Sequence, residues 1–224
     1  MSPDRREAYW EQRLQEVRGQ LSQMGRLAQR NLRDALHSLI QRDSDLADQV
    51  EAHDSEVDEL EKHLDATVVA FVSTHSPAAT DCRQLLMAIK IGAEWEEIAD
   101  QATTIARRAR QLSQCAVVEW PIPLESMSHH VQAMVASSLQ ALDQKDSALA
   151  RSVIELDDEV DRQYAAGIRL IQERLMVERT LVGPALHWLT IFKALERAAD
   201  RAANIAEAIV FWLEASDIRH SPPS

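Results

Sequence analysis

A chain of 224 residues suffices for one large domain or two small ones, and with 46% hydrophobic residues it can build a sizeable core. Its 5 Gly and 7 Pro supply little of the turn chemistry a sheet protein needs, and neither a P-loop nor a dinucleotide-binding glycine pattern occurs. A net charge of -12, from 36 acidic and 24 basic residues, is repelled by phosphate backbones; it argues against nucleic-acid binding and suits basic protein partners or metal cations.

Apolar residues recur at spacings of three and four along most of the chain, which predicts six helices over 8–41, 45–74, 78–115, 124–143, 148–178 and 184–215. The N-terminus, Met-Ser-Pro-Asp-Arg-Arg-Glu, has no apolar stretch behind it of the kind a signal peptide carries. No run of about 18 apolar residues is present to span a membrane. Asp43-Ser44-Asp45 is placed to cap the second helix, and Asp146-Ser147 the fifth. Ser76-Pro77 puts a capping side chain before a proline at the first position of the third. Trp120-Pro121-Ile122-Pro123 cannot continue a helix and divides the chain near its middle. Cys82 and Cys115 stand near opposite ends of the third helix without a CxxC spacing, and read as two buried thiols.

The halves repeat one another. Gln41–Asp58 aligns with Gln144–Asp161 at an offset of 103, and ten of eighteen positions are identical. Both stretches contain Gln-x-Asp-Ser-x-Leu-Ala and end in Asp-x-Glu-Val-Asp. Further on the offset is 100, where Glu96, Asp100, Ala102, Ile105 and Ala106 match Glu196, Asp200, Ala202, Ile205 and Ala206; a three-residue change in one connection would account for the shift. The pattern predicts an all-α protein of two tandem three-helix bundles, six long antiparallel helices in all, with residues 1–120 forming the first and 121–224 the second. Core seams follow from the spacing: Ile91, Trp95, Ile98, Ala102, Ile105, Ala109 and Leu112 on helix three, and Ile191, Leu195, Ala198, Ala202, Ile205, Ile209 and Trp212 on helix six. On helix two the seam includes His53, read as a core histidine rather than a ligand.

Carboxylates stand in pairs four residues apart: Asp54 with Asp58, Glu96 with Asp100, Asp157 with Asp161, and Glu196 with Asp200. Such pairs share a helix face and repel by about 0.2–0.5 kcal/mol each. A bound cation would reverse that sign, because carboxylate oxygens are hard ligands. Glu96/Asp100 and Glu196/Asp200 point away from their core seams and the helix-two acids flank theirs, so the pairs form either solvated acidic faces or metal sites. Di-iron oxidases of the ferritin type put carboxylates inside a bundle and use Glu-x-x-His; no His here has a Glu three residues before it. No Ser/His/Asp set is recognisable either, and an enzyme is not expected.

Met24-Gly25, the Gln41–Ala47 entry to helix two, Glu96-Glu-Ile-Ala-Asp100, and Glu196-Arg-Ala-Ala-Asp200 followed by Asn204-Ile205 and Glu207 together resemble the PhoU family of phosphate-signalling proteins over residues 10–215. The family's usual Glu-Arg-Ile-Gly-Asp is altered: Glu97 and Ala99 replace Arg and Gly in the first copy, and Ala198-Ala199 replaces Ile-Gly in the second. The resemblance implies a cytoplasmic, often dimeric, negative regulator of phosphate uptake and the phosphate regulon. It would act between phosphate ABC transporter subunits and a sensor histidine kinase, peripheral at the inner membrane face and held there only by partners. It implies also that Glu96/Asp100 and Glu196/Asp200, assisted by Asp54/Asp58 and Asp157/Asp161, bind a divalent or ferric ion (Mg, Mn, Fe or Zn). A carboxylate-rich metal store or metal-dependent enzyme remains the alternative.

Overall fold

The computed structural model describes residues 3–74, 79–116 and 123–215. These form α1 (Pro3–Gln41), α2 (Ser44–Thr74), α3 (Ala79–Ser113), α4 (Leu124–Gln144), α5 (Ser147–Val177) and α6 (Val182–Glu214), with a 3-10 turn at Arg179–Leu181 before α6. No strand occurs among the described residues. The expected six-helix, all-α architecture is therefore present, with α1 beginning five residues early. The Ser76-Pro77 cap, most of the Trp120–Pro123 break and the 120/121 boundary lie outside the described residues; Pro123 stands directly ahead of α4.

Both Asp-Ser caps are made. Asp43 Oδ1 accepts from the Leu46 amide at 3.0 Å, and Asp146 Oδ1 from the Ala148 and Leu149 amides, both at 3.0 Å. These bonds satisfy amides that have no partner within the helix. The preceding helices end alike as well. Arg42 and Lys145, equivalent at the offset of 103, both turn the chain in the left-handed region, with φ of 56° and 54°. That conformation costs a side-chain-bearing residue about 1 kcal/mol. Arg42 recovers it by reaching across to the open end of α3. Its Nη2 lies 2.7, 2.8 and 2.6 Å from the carbonyl oxygens of Leu112, Ser113 and Cys115, three acceptors sharing one amino group. Replacing Arg42 by Ala should therefore lower unfolding free energy by about 1.5–3 kcal/mol, the range for hydrogen bonds to a charged group, read as a lower denaturation midpoint at unchanged slope.

All the seam residues expected on α3 and α6 are buried. Around them α3 packs on α1, α2 and α6, while α6 also carries α4 and α5, and α1 meets α4. The buried side chains form one continuous core through both repeats. Gly25 of α1 lies where the repeats meet; a Cβ there would stand 2.8 Å from Leu139 Cδ1 and 3.0 Å from the Trp95 ring. Within each repeat the outer hairpin closes on a glycine, and the two are mirror choices. Gly92 of α3 receives Leu64 of α2, whereas Gly167 of α5 receives Phe192 of α6. Leu64 and Gly167 are mates at offset 103, and Gly92 and Phe192 at offset 100. The large and small partners have exchanged helices.

The three-residue offset change falls within a helix rather than in a connection: α2 and α5 both have 31 residues, but α3 begins about one turn further ahead of Glu96 than α6 does ahead of Glu196. Two other expectations fail. His53 has a side chain 41% exposed, with Nε2 3.9 Å from Glu56, although Val50 and Val57 on either side of it along the seam are buried; it sits at the edge of the seam rather than in the core. Cys82 and Cys115 are thiols but half-buried, since both lie near the ends of α3 where core cover thins.

Candidate functional site

The acidic pairs meet within each repeat, across the outer hairpin. In the first, Asp54, Asp58 and Glu61 of α2 face Glu96, Glu97 and Asp100 of α3, and Thr103 Oγ1 donates to Asp54 Oδ1 at 2.9 Å. Helical-wheel geometry alone sets the back of α3 away from the flank of α2, but a side chain one step off the seam leans over the groove between two antiparallel helices. In the second, Asp157 and Asp161 of α5 face Glu196 and Asp200 of α6. Glu61, which is spaced four from Asp65 on α2, joins the first cluster, and Glu97 and Asp158, outside the four-residue spacing, join the first and the second. Lys193, whose Nζ donates to Glu196 Oε1 at 2.7 Å, also joins the second. Its mate in the first repeat is Ala93, so the second cluster alone carries an internal cation at this position.

Crowding shows in the carboxyl groups. Burial, then Asp100, Glu61, Glu97 and Asp58, push Glu96 up to about 7 from its ordinary 4.5. Burial, then Asp200, Asp161, Asp158 and Glu196, push Asp157 up to about 7 from 3.8. Asp100 and Asp200 are raised for the same reasons, burial first, with Arg107 partly opposing the former and Lys193 and Arg201 the latter. The folded protein thus holds these protons more tightly than the unfolded chain. Protonation stabilises it, and stability falls as pH rises from the ordinary values toward 7. After solvent screening, each of Glu96 and Asp157 should contribute about 1 kcal/mol to that fall. Melting of metal-free protein across this range should show a decline that Glu96→Gln and Asp157→Asn flatten.

The donor set suits a hard cation. One ligand atom each from Asp161, Glu196 and Asp200 lies within 4.8 Å of the others, and among the described residues this is the triad so arranged. Asp157 Oδ1 beside them is buried with no hydrogen-bond partner. In the first repeat Asp54 is engaged by Thr103, and no comparable triad forms among the described residues. The two clusters, alike in sequence, are unequal in geometry.

Between them lies a polar link that the acidic-pair pattern does not reveal. Glu94 of α3 is buried and accepts from Arg201 Nη1 at 3.3 Å and Asn204 Nδ2 at 3.4 Å, both on α6. Arg201 also stands 3.7 Å from Glu97. A buried Glu on the α3 seam flank, with Arg and Asn three apart on its partner, was the available signal.

Such a protein is an all-helical tandem repeat with an acidic cluster on each outer hairpin. The PhoU domain family matches residues 21–109 and 124–209, one match per repeat, and the chain belongs to that family. It is 34% identical over 210 residues to the phosphate-specific transport system accessory protein PhoU homolog of Pseudomonas aeruginosa, covering 92% of this chain and 86% of that one. It is 30% identical over 207 residues to the phosphate-specific transport system accessory protein PhoU of Escherichia coli strain K12, with the same 92% and 86% coverage. The crystal structure of PhoU from Pseudomonas aeruginosa superposes with a TM-score of 0.89 at 32% identity, over 92% of this chain and 100% of that one. Among the described residues no helix is long and apolar enough to cross a membrane.

Proposed function

We propose that the chain is a non-enzymatic accessory of phosphate transport. In this reading it restrains phosphate uptake and phosphate-regulon signalling by contacting phosphate ABC transporter subunits and a sensor histidine kinase. It works as a homodimer in the cytoplasm, reaching the inner membrane face only through those partners. What carries the reading is the likeness to curated relatives over 92% of the chain, both repeats included, since those relatives are named accessory proteins of the phosphate-specific transport system. The test is a pull-down of the tagged chain from cells grown at high and low phosphate. Transporter subunits and a histidine kinase should be captured in amounts that change with phosphate. In cells lacking both partners the membrane-associated share should vanish; its persistence, or capture indifferent to phosphate, overturns the reading.

The acidic clusters enter the same proposal as sites for an exchangeable divalent or ferric cation. Asp157, Asp161, Glu196 and Asp200 form the stronger site, and Asp54, Asp58, Glu96 and Asp100 the weaker. The unpartnered Asp157 oxygen beside the triad supports this order. A bound cation would neutralise repelling carboxylates between the second and third helices of a repeat, and the chain's own part is to hold those helices at a fixed separation.

A further inference from the structure

The repeats meet mainly along α3 and α6, but α1 also meets α4, and an open cleft of about 180 Å³ lies on that second seam. Gln29 and Leu32 line it from α1, Gln132 and Val135 from α4. These are mates at the offset of 103, so the cleft sits where the internal symmetry brings like positions together. Its charge is one-sided. Arg26, Arg30 and Arg33 all come from α1, at spacings that place them on one helix face. Their mates on α4 are His129, Ala133 and Ala136. Three guanidinium groups around a recess are conspicuous in a chain of net charge -12.

Their existing partners leave donors to spare. Arg26 Nη1 is 4.0 Å from Asp143, Arg30 Nη2 is 3.4 Å from Glu56, and Arg33 Nη2 is 2.9 Å from Asp34. Asp143 is also engaged by the Ser22 hydroxyl. Ion pairs this exposed contribute about 0–1 kcal/mol, and each occupies a fraction of the five N–H groups a guanidinium offers. Arg30 Nε is buried and has no partner at all. Guanidinium forks match oxoanions with two parallel bonds, and two glutamine amides can add neutral N–H donors. The volume is that of roughly six liquid waters, enough for one tetrahedral oxoanion and too small to enclose a nucleoside with it.

We propose that this cleft is a binding site for a single phosphate-type oxoanion, held by Arg26, Arg30 and Arg33 with the amides of Gln29 and Gln132. Either free orthophosphate or the phosphate of a small monoester presents this chemistry. Because the walls belong to different repeats, an occupant ties α1 to α4. The site is independent of the transporter role and of the acidic clusters.

The test uses the full chain stripped with a chelator, so that no metal-bridged phosphate collects on the carboxylates. Calorimetry at constant ionic strength follows orthophosphate in one arm and O-phosphoserine in the other. Wild type should show saturable one-to-one binding in at least one arm, and the tighter arm identifies the source. Arg30→Ala/Arg33→Ala should weaken it about tenfold or more. Arg33→Glu alone, at the most exposed of the three arginines, should weaken it comparably without touching the core. Arg151→Ala, which removes an exposed pair with Glu214 on the second repeat, should leave it unchanged. Absence of saturable binding in both arms overturns the proposal. So does binding that survives Arg33→Glu, or that falls equally with Arg151→Ala.

Discussion

Glu196→Ala/Asp200→Ala should abolish cation uptake by the second cluster while leaving the helical fold intact. The two residues supply two of the three atoms in the Asp161–Glu196–Asp200 triad, and the remaining Asp157 and Asp161, both on α5, are too few ligands for a hard cation. The fold survives because the seam residues of α6, from Ile191 to Trp212, are apolar and buried. Metal-free variant protein should melt slightly higher than wild type at neutral pH, since Asp157 loses two repelling neighbours. Adding metal at a hundredfold excess over the dissociation constant should stabilise wild type by about 2.7 kcal/mol and the variant by almost nothing. Glu96→Ala/Asp100→Ala should have a smaller effect on metal content, because the first cluster gathers no comparable triad among the described residues. If the four-residue variant, with all of Glu96, Asp100, Glu196 and Asp200 replaced, keeps its metal content, or if wild type takes up none, the clusters are solvated acidic faces.

The exchanged glycines give the second large effect. Gly167→Leu forces a side chain into the space of the Phe192 ring, to which even a Cβ would stand at 2.2 Å. An aromatic ring cannot fold back as a leucine tip can, so the cost should reach or exceed the upper end of the roughly 1–3 kcal/mol usual for overpacking. Phe192→Gly alone leaves a cavity and a helical glycine, and should cost about 4–6 kcal/mol. The double variant recreates in the second repeat the Leu64–Gly92 pair of the first. Its loss should be well below the sum of the single losses, a coupling measurable in a denaturant cycle. Additive losses would mean that the repeats do not pack their outer hairpins equivalently.

Much of this fold was legible because its driving pattern is local. Apolar residues three and four apart give helices and seams without reference to the partner helix, and the Asp-Ser caps mark where α2 and α5 begin. The family resemblance, carried by the acidic motifs, agrees with the family match over both repeats. What sequence periodicity could not supply was relative rotation. Whether Glu96 meets Asp58 depends on how α2 leans across α3, set in part by Leu64 falling into Gly92, a contact between residues distant in sequence. The same limit hid Lys193 as a rival cation and put His53 in the core when it stands half-buried at the edge of its seam. The clusters looked equivalent because duplication copies residue types; Thr103 binding Asp54 shows that it need not copy geometry.

The link from Glu94 to Arg201 and Asn204 bears on how a duplicated gene loses its freedom. Under the internal symmetry the mate of Glu94 is Ala194, and the mates of Arg201 and Asn204 are Gln101 and Thr104. Two copies of the first half, paired as the halves pair here, would set each buried Glu94 against Gln101 and Thr104 with no guanidinium to neutralise it. Two copies of the second half would set the half-buried Arg201 against Ala194, without its carboxylate partner. An unpaired buried charge is costly, so the first half with its buried Glu94 is ill suited to partner itself, and the two halves are suited to partner each other. Half-molecules made as separate polypeptides are therefore expected to complement one another rather than homodimerise.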